Sequence, residues 1–138
     1  MPSRDRLTKE QRSWNMSRIR SKDTKPELVV RRLLTGMGLR YRLHRAGLPG
    51  KPDIVFGPRL LVIFVHGCFW HRHPRCKEAT TPVANRPFWQ AKLDGNADRD
   101  RRHRAALQEL GWRVAVVWEC ETRQPEPLLR RLERLLAA

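Results

Sequence analysis

The apolar positions change period several times along the chain, and each change marks an element. Leu28, Val29, Leu33 and Met37 recur at helical spacing after Thr24-Lys25-Pro26-Glu27. In that tetrapeptide Thr24 can cap, Pro26 suits the first turn, and Glu27 holds the reciprocal capping-box position. Gly36 and Gly38 then end the helix. Residues 41–43 predict a short strand, and Gly47-Leu48-Pro49-Gly50-Lys51-Pro52 a loop. Residues 53–56 and 60–65 are apolar runs separated by Gly57-Pro58, which predicts a hairpin. A long loop over 66–87 follows. Residues 88–110 read as helix with a break near Asp94-Gly95-Asn96, closed by Gly111. Residues 113–118 are a further buried strand, and 127–136 an amphipathic helix carrying Leu128, Leu129, Leu132, Leu135 and Leu136. Ahead of all this, Thr8-Lys9-Glu10-Gln11 fits a capping box opening a short helix to about Ile19. The order α-β-β-β-α-β-α predicts an α/β sandwich with a mixed sheet flanked by helices.

The loop after residue 65 does not look like ordinary loop. His66-Gly67-Cys68-Phe69-Trp70-His71-Arg72-His73-Pro74-Arg75-Cys76 packs three histidines, two cysteines and a Phe-Trp pair together. A structural zinc ion prefers four tetrahedral thiolate or imidazole ligands. Cys68 and Cys76 are two candidates. Cys120 joins them if strand 113–118 lies beside strand 60–65. His66, His71 and His73 compete for the fourth place, with spacing slightly favouring His73. A loop of this length in a compact domain needs something to order it, and such a site would do so. Trp112 and Trp118, in or beside an apolar strand, read as core.

Composition changes the picture in one direction. The chain has 138 residues, with 29 basic against 14 acidic ones and a net charge of +15. That excess suits a polyanionic partner. The length fits one domain over 1–138, with 1–22 as a basic arm that settles on that partner. No apolar run approaches the ~18 residues of a membrane span, and residues 1–9 lack the apolar core of a signal peptide. The cytoplasm is the expected location. Three cysteines in such a setting point to metal rather than disulfides.

Asp53 opens a strand directly after a Gly/Pro loop. A carboxylate at a sheet edge can hold Mg²⁺, which takes one or two carboxylates and completes its shell with water and substrate phosphate. A histidine left free by zinc, His71 if His73 is the ligand, could serve as general base towards water. Glu27 has two readings: capping-box residue, or a second carboxylate aimed at the same site.

These residues resemble a known family. Asn15-Met16-Ser17-Arg18-Ile19, Leu34-Thr35-Gly36-Met37-Gly38-Leu39, Leu48-Pro49-Gly50-Lys51-Pro52-Asp53, His66-Gly67-Cys68-Phe69-Trp70-His71, Phe88-Trp89, residues 96–102 and residues 111–120 match the very short patch repair (Vsr) endonucleases, in order. These bacterial enzymes nick DNA beside a T·G mismatch left by 5-methylcytosine deamination. The resemblance implies the restriction-endonuclease-like PD-(D/E)xK core with a structural zinc site. It makes Asp53 the Mg²⁺ ligand together with the backbone carbonyl of Val65, and His71 the general base supported by His66 and Glu27. It assigns zinc to Cys68, His73, Cys76 and Cys120. It makes Phe69, Trp70 and Trp89 a wedge entering the base stack, and Arg18, Asn96 and Asp100 fall in matching segments as DNA-contacting positions. A monomer acting on double-stranded DNA with a T·G mismatch is implied; contact with repair-pathway proteins is left open. Val65-His66-Gly67 stand where the fold's motif usually carries a second acid and a lysine. A zinc-stapled DNA-binding module without nuclease activity, and a restriction-type nuclease without mismatch preference, are the alternative readings.

Overall fold

The computed structural model describes residues 23–137. The basic arm, its short helix and Arg18 lie outside the described residues. Helix α1 (Lys25–Gly36) is followed by β1 (Arg42–Leu43), β2 (Ile54–Phe56) and β3 (Leu61–His66). Helix α2 (Arg86–Glu109), β4 (Arg113–Trp118) and helix α3 (Pro125–Ala137) complete the order, with single 3₁₀ turns at Lys77–Ala79 and Glu119–Arg123. The sheet runs β1-β2-β3-β4. The first two pairings are antiparallel, and β3 lies parallel to β4 with Leu61 opposite Arg113 and His66 opposite Trp118. Helix α2 supplies the crossover that a parallel pair requires.

Side-chain alternation along the strands sorts the core into two faces. Ile54, Phe56, Leu61, Ile63, Ala115 and Val117 face Val30 and Leu34 of α1 and Leu128, Leu132 and Leu136 of α3. Val55, Val62 and Phe64 face the other way, with Leu107 of α2, Leu48, Trp112, Val114 and Val116. Three layers result, two helices on one face of a mixed sheet and one on the other. Strands β2 and β3 are buried on both faces, so their apolar runs are continuous rather than alternating.

The observed elements differ from the sequence expectations in three places. Helix α2 runs unbroken through Asp94-Gly95-Asn96 for 24 residues. A helical glycine costs only about 1 kcal/mol relative to alanine and poses no steric bar, so helix on both sides carries through it. Helix α3 begins at Pro125, two residues ahead of the expected start at Pro127. At the start of α1, Thr24 Oγ1 accepts the Glu27 N–H at 3.3 Å, but the Glu27 carboxylate does not return to Thr24. It takes the N–H of Asp23 at 3.1 Å and turns its other oxygen elsewhere.

Candidate active site and metal centre

The site forms where β3 and β4 end side by side. Asp53 immediately precedes β2, and its Oδ2 accepts the Val65 N–H of β3 at 2.7 Å. Desolvation pushes this carboxyl up to about 7; the Val65 bond works downward and the nearby charge of Glu27 upward. Glu27 is only 2 % exposed. Directly after Val65, His66 is buried and stacks on His71, rings 3.8 Å apart and 7° from parallel. Burial, and then the neighbouring His71, pull His66 down to about 3, so it is a neutral imidazole. Its Nδ1 has no hydrogen-bond partner among the described residues.

His71 in turn donates from Nδ1 to Asp100 Oδ2 at 2.7 Å. Burial works to raise Asp100, but the hydrogen bond and charge of His71 hold it below the usual carboxylate range. Asp100 comes from α2, four residues after Asn96, whose Nδ2 donates to the Trp70 carbonyl at 3.0 Å. One helix face therefore grips the loop at two points. A cleft of about 430 Å³ opens over these groups, lined by Glu27, Asp53, His66, His71 and Asp100, with Lys51, Lys92, Arg99 and His103 at its sides. Sequence reasoning placed Asp100 and Asn96 among the DNA contacts; in the fold, their side chains bond the loop. The signal was available: Lys92, Asn96, Arg99, Asp100 and His103 form a polar stripe at helical spacing.

The cysteines gather on the far side of the same loop. Cys68, His73, Cys76 and Cys120 bring their ligand atoms within 4.8 Å of one another. His73 Nδ1 lies 3.6 Å from the sulfurs of both Cys68 and Cys120. A tetrahedral zinc with Zn–S of about 2.3 Å and Zn–N of about 2.0 Å has S···N edges of about 3.6 Å, so the donor set fits. The Cys120 N–H points at Cys68 Sγ at 3.4 Å, as a donor to a thiolate would. Burial pushes the Cys68 thiol up to about 12 and raises Cys120 as well, a cost that a dication among them offsets. Parallel pairing of β3 with β4 is what delivers Cys120. His73 stacks on Trp118, rings 4.2 Å apart. Trp118 is thus a half-buried wall between His66 and His73 rather than a core residue. Trp112 does pack into the core.

Between the two clusters the loop presents its aromatic rings. Phe69 meets Trp70 edge-on at 4.9 Å and Trp89 at 5.5 Å, and Trp70 lies 6.0 Å from Trp89. All three are half-buried, and Trp70 also lines the cleft.

A mixed sheet between helices, with a carboxylate and a histidine pair meeting in one cleft at the strand ends, fits a restriction-endonuclease-like α/β fold. The family model of the DNA mismatch endonuclease Vsr matches residues 4–78, and the chain belongs to that family. It is 51 % identical over 132 residues to the type II nicking enzyme V.XorIIP of Xanthomonas oryzae pv. oryzae, covering 96 % of each chain. It is 49 % identical over 117 residues to the DNA mismatch endonuclease Vsr of Escherichia coli K12, covering 85 % of this chain and 74 % of that one. The type II nicking enzyme V.NmeAIP of Neisseria meningitidis is 42 % identical over 132 residues, covering 96 % of this chain and 94 % of the relative. Among solved structures, the catalytic domain of the homing endonuclease I-Bth0305I superposes with a TM-score of 0.57 at 20 % identity. That match covers 81 % of this chain and 93 % of the other, and it supports the fold. The protein is a DNA-nicking endonuclease. Among the described residues no helix is long and apolar enough to cross a membrane.

Proposed function

We propose that the protein recognises a T·G mismatch in double-stranded DNA and hydrolyses the phosphodiester 5′ of the mispaired thymine with Mg²⁺. The observation that carries the chemistry is the Asp100–His71–His66 stack, which shares one cleft with Asp53. Asp100 accepts a hydrogen bond from His71 Nδ1–H, which leaves the Nε2 lone pair to accept a proton from water. As His71 becomes imidazolium, the Asp100 carboxylate stabilises the charge. His66, held neutral beneath it, adds no competing positive charge. Asp53 and the Val65 carbonyl would hold Mg²⁺, which polarises the phosphate and neutralises charge on the leaving oxygen. Cys68, His73, Cys76 and Cys120 would hold a structural zinc that fixes the loop between Asp53's strand partner and the aromatic rings.

The mismatch reading rests on the aromatic triad and on the mismatch-endonuclease relative. Unstacking a step costs a few kcal/mol and least at a mispair, so Phe69, Trp70 and Trp89 on an anchored loop can select the site by insertion. The test is nicking of a T·G duplex against its C·G counterpart with Mg²⁺. Cleavage 5′ of the mispaired thymine in the first alone is expected. Equal cleavage of both would remove the mismatch assignment, and a nicking-competent Asp53→Ala protein would remove the mechanism.

A further inference from the structure

His44 has no part in the chemistry derived so far, yet it bonds the Glu27 carboxylate and the main-chain carbonyl of Asp53. It lies between β1 and β2 with a positive φ of 47°. A non-glycine residue held there is uncommon and strained, and such residues cluster at functional sites. Its main-chain N–H donates to the Asp53 carbonyl at 3.0 Å. Its imidazole Nε2 donates to Glu27 Oε2 at 2.7 Å. One residue therefore ties the backbone that carries the metal-binding carboxylate to the second carboxylate, across from helix α1.

Glu27 is otherwise well committed. Its Oε1 takes the Asp23 N–H at 3.1 Å, and its Oε2 also receives Arg31 Nη1 at 3.2 Å. Arg31 is shared with Asp23 at 2.8 Å, so His44 makes the shorter bond to Glu27. A buried carboxylate with its lone pairs given to protein donors is poorly placed to enter a metal shell directly. It is well placed to act beside Asp53, because the two residues line the same cleft.

We propose that His44 is a positioning residue of the DNA-nicking reaction. It fixes the Glu27 carboxylate at a set distance from Asp53, so that Glu27 orients the metal–water assembly without ligating the ion. This rests on the reading of Asp53 as the Mg²⁺ ligand.

Two substitutions of like chemistry and different reach separate this from mere structural support. In His44→Gln the amide nitrogen reaches about as far as Nε2, and the bond to Glu27 survives. In His44→Asn it falls short, while Asn tolerates the left-handed backbone and keeps the main-chain bond to Asp53. Single-turnover nicking at saturating DNA should fall at least tenfold in H44N and stay within about threefold of the parent in H44Q. DNA affinity should be unchanged in both. Calorimetric titration with Ca²⁺, read without turnover, should show the same ordering, weaker in H44N than in H44Q. A Glu27→Gln substitution added to H44N should cost much less than in the parent, because the two residues act as one unit. Nicking by H44N within twofold of H44Q, or full additivity with Glu27→Gln, overturns the proposal. An Asp53→Ala control keeps the premises apart: if it still nicks, the metal reading falls. If it is inactive while H44N matches the parent, only the role of His44 falls.

Discussion

Replacing Asp100 by Asn tests the proposed base most directly. The amide keeps the size of the carboxylate and can still accept the Nδ1 proton of His71, so the loop geometry should persist. It loses the negative charge that faces the imidazolium as the proton is taken. The observed bond is 2.7 Å between heavy atoms, and the two side chains are 30 % and 15 % exposed. Charge centres about 4 Å apart at an effective dielectric near 20 interact by about 4 kcal/mol. Partial exposure reduces this to roughly 3–4 kcal/mol, or two to three decades of rate at about 1.4 kcal/mol per decade. Asp100→Asn should therefore lower the single-turnover nicking rate by about 10²- to 10³-fold, within the range for loss of general-base catalysis. The assay is rapid-quench cleavage of a labelled T·G duplex at saturating enzyme and Mg²⁺, with DNA affinity and zinc content measured alongside. A rate within threefold of the parent, with binding intact, refutes the role of the Asp100–His71 pair.

Four further outcomes follow from the same geometry. Asp53 has an ordinary value of 3.8 and is pushed up to about 7 in the metal-free fold, so the folded state binds its proton more tightly than the unfolded chain. Its contribution is complete below pH ~4 and is lost as pH rises to ~7, on the order of 4 kcal/mol in all; Asp53→Asn should abolish that slope in denaturant titrations. His66, lowered from 6.5 to about 3, acts with the opposite sign: its contribution is complete above pH ~6.5 and is lost as pH falls towards 3. His73→Ala or Cys120→Ser should release zinc and lower the thermal midpoint, whereas His71→Ala should retain zinc and lose nicking; plasma emission spectrometry and calorimetry decide between these. Trp70→Ala should cut the rate ratio between T·G and C·G duplexes about 10- to 100-fold, given 1–3 kcal/mol per stacked base, and unchanged selectivity would dismiss the wedge.

Much of this site was legible before any coordinates. Strands 53–56 and 60–65 stood out because burial on both faces makes their apolar runs continuous. Their parallel neighbour at 113–118 then placed Cys120 where the loop thiols could meet it. What the residues alone left open was which histidine goes where. His66, His71 and His73 are equivalent in a sequence, and only the path of the loop sends His73 to the sulfurs and His71 to Asp100. The resemblance to the repair endonucleases implies the roles proposed for each, zinc ligand for His73 and base for His71. The pairing of Asp100 with His71 spans 29 residues, and that of His44 with Glu27 spans 17. Contacts of this kind follow from packing α2 and α1 against the sheet; helical spacing marks the polar face of α2 but not the partner that each residue on it meets. Gly95 illustrates the converse, a local breaker signal overridden because a long helix dilutes one unfavourable residue.

That unbroken helix has a consequence for the reaction. Trp89 and Asp100 sit on one rigid rod, eleven residues apart, or about 16 Å along its axis at 1.5 Å per residue. On the proposed reading the rod would work as a ruler, tying the Asp100 that holds His71 to the Trp89 that meets the mispair. The offset between mispair and nick would then be built into α2 and the loop carrying Trp70 and His71, rather than left to the flanking bases. One residue inserted after Gly95 would turn Asp100 by about 100° away from His71. A full turn's worth of insertion would restore its direction but move it by one helical pitch, away from His71.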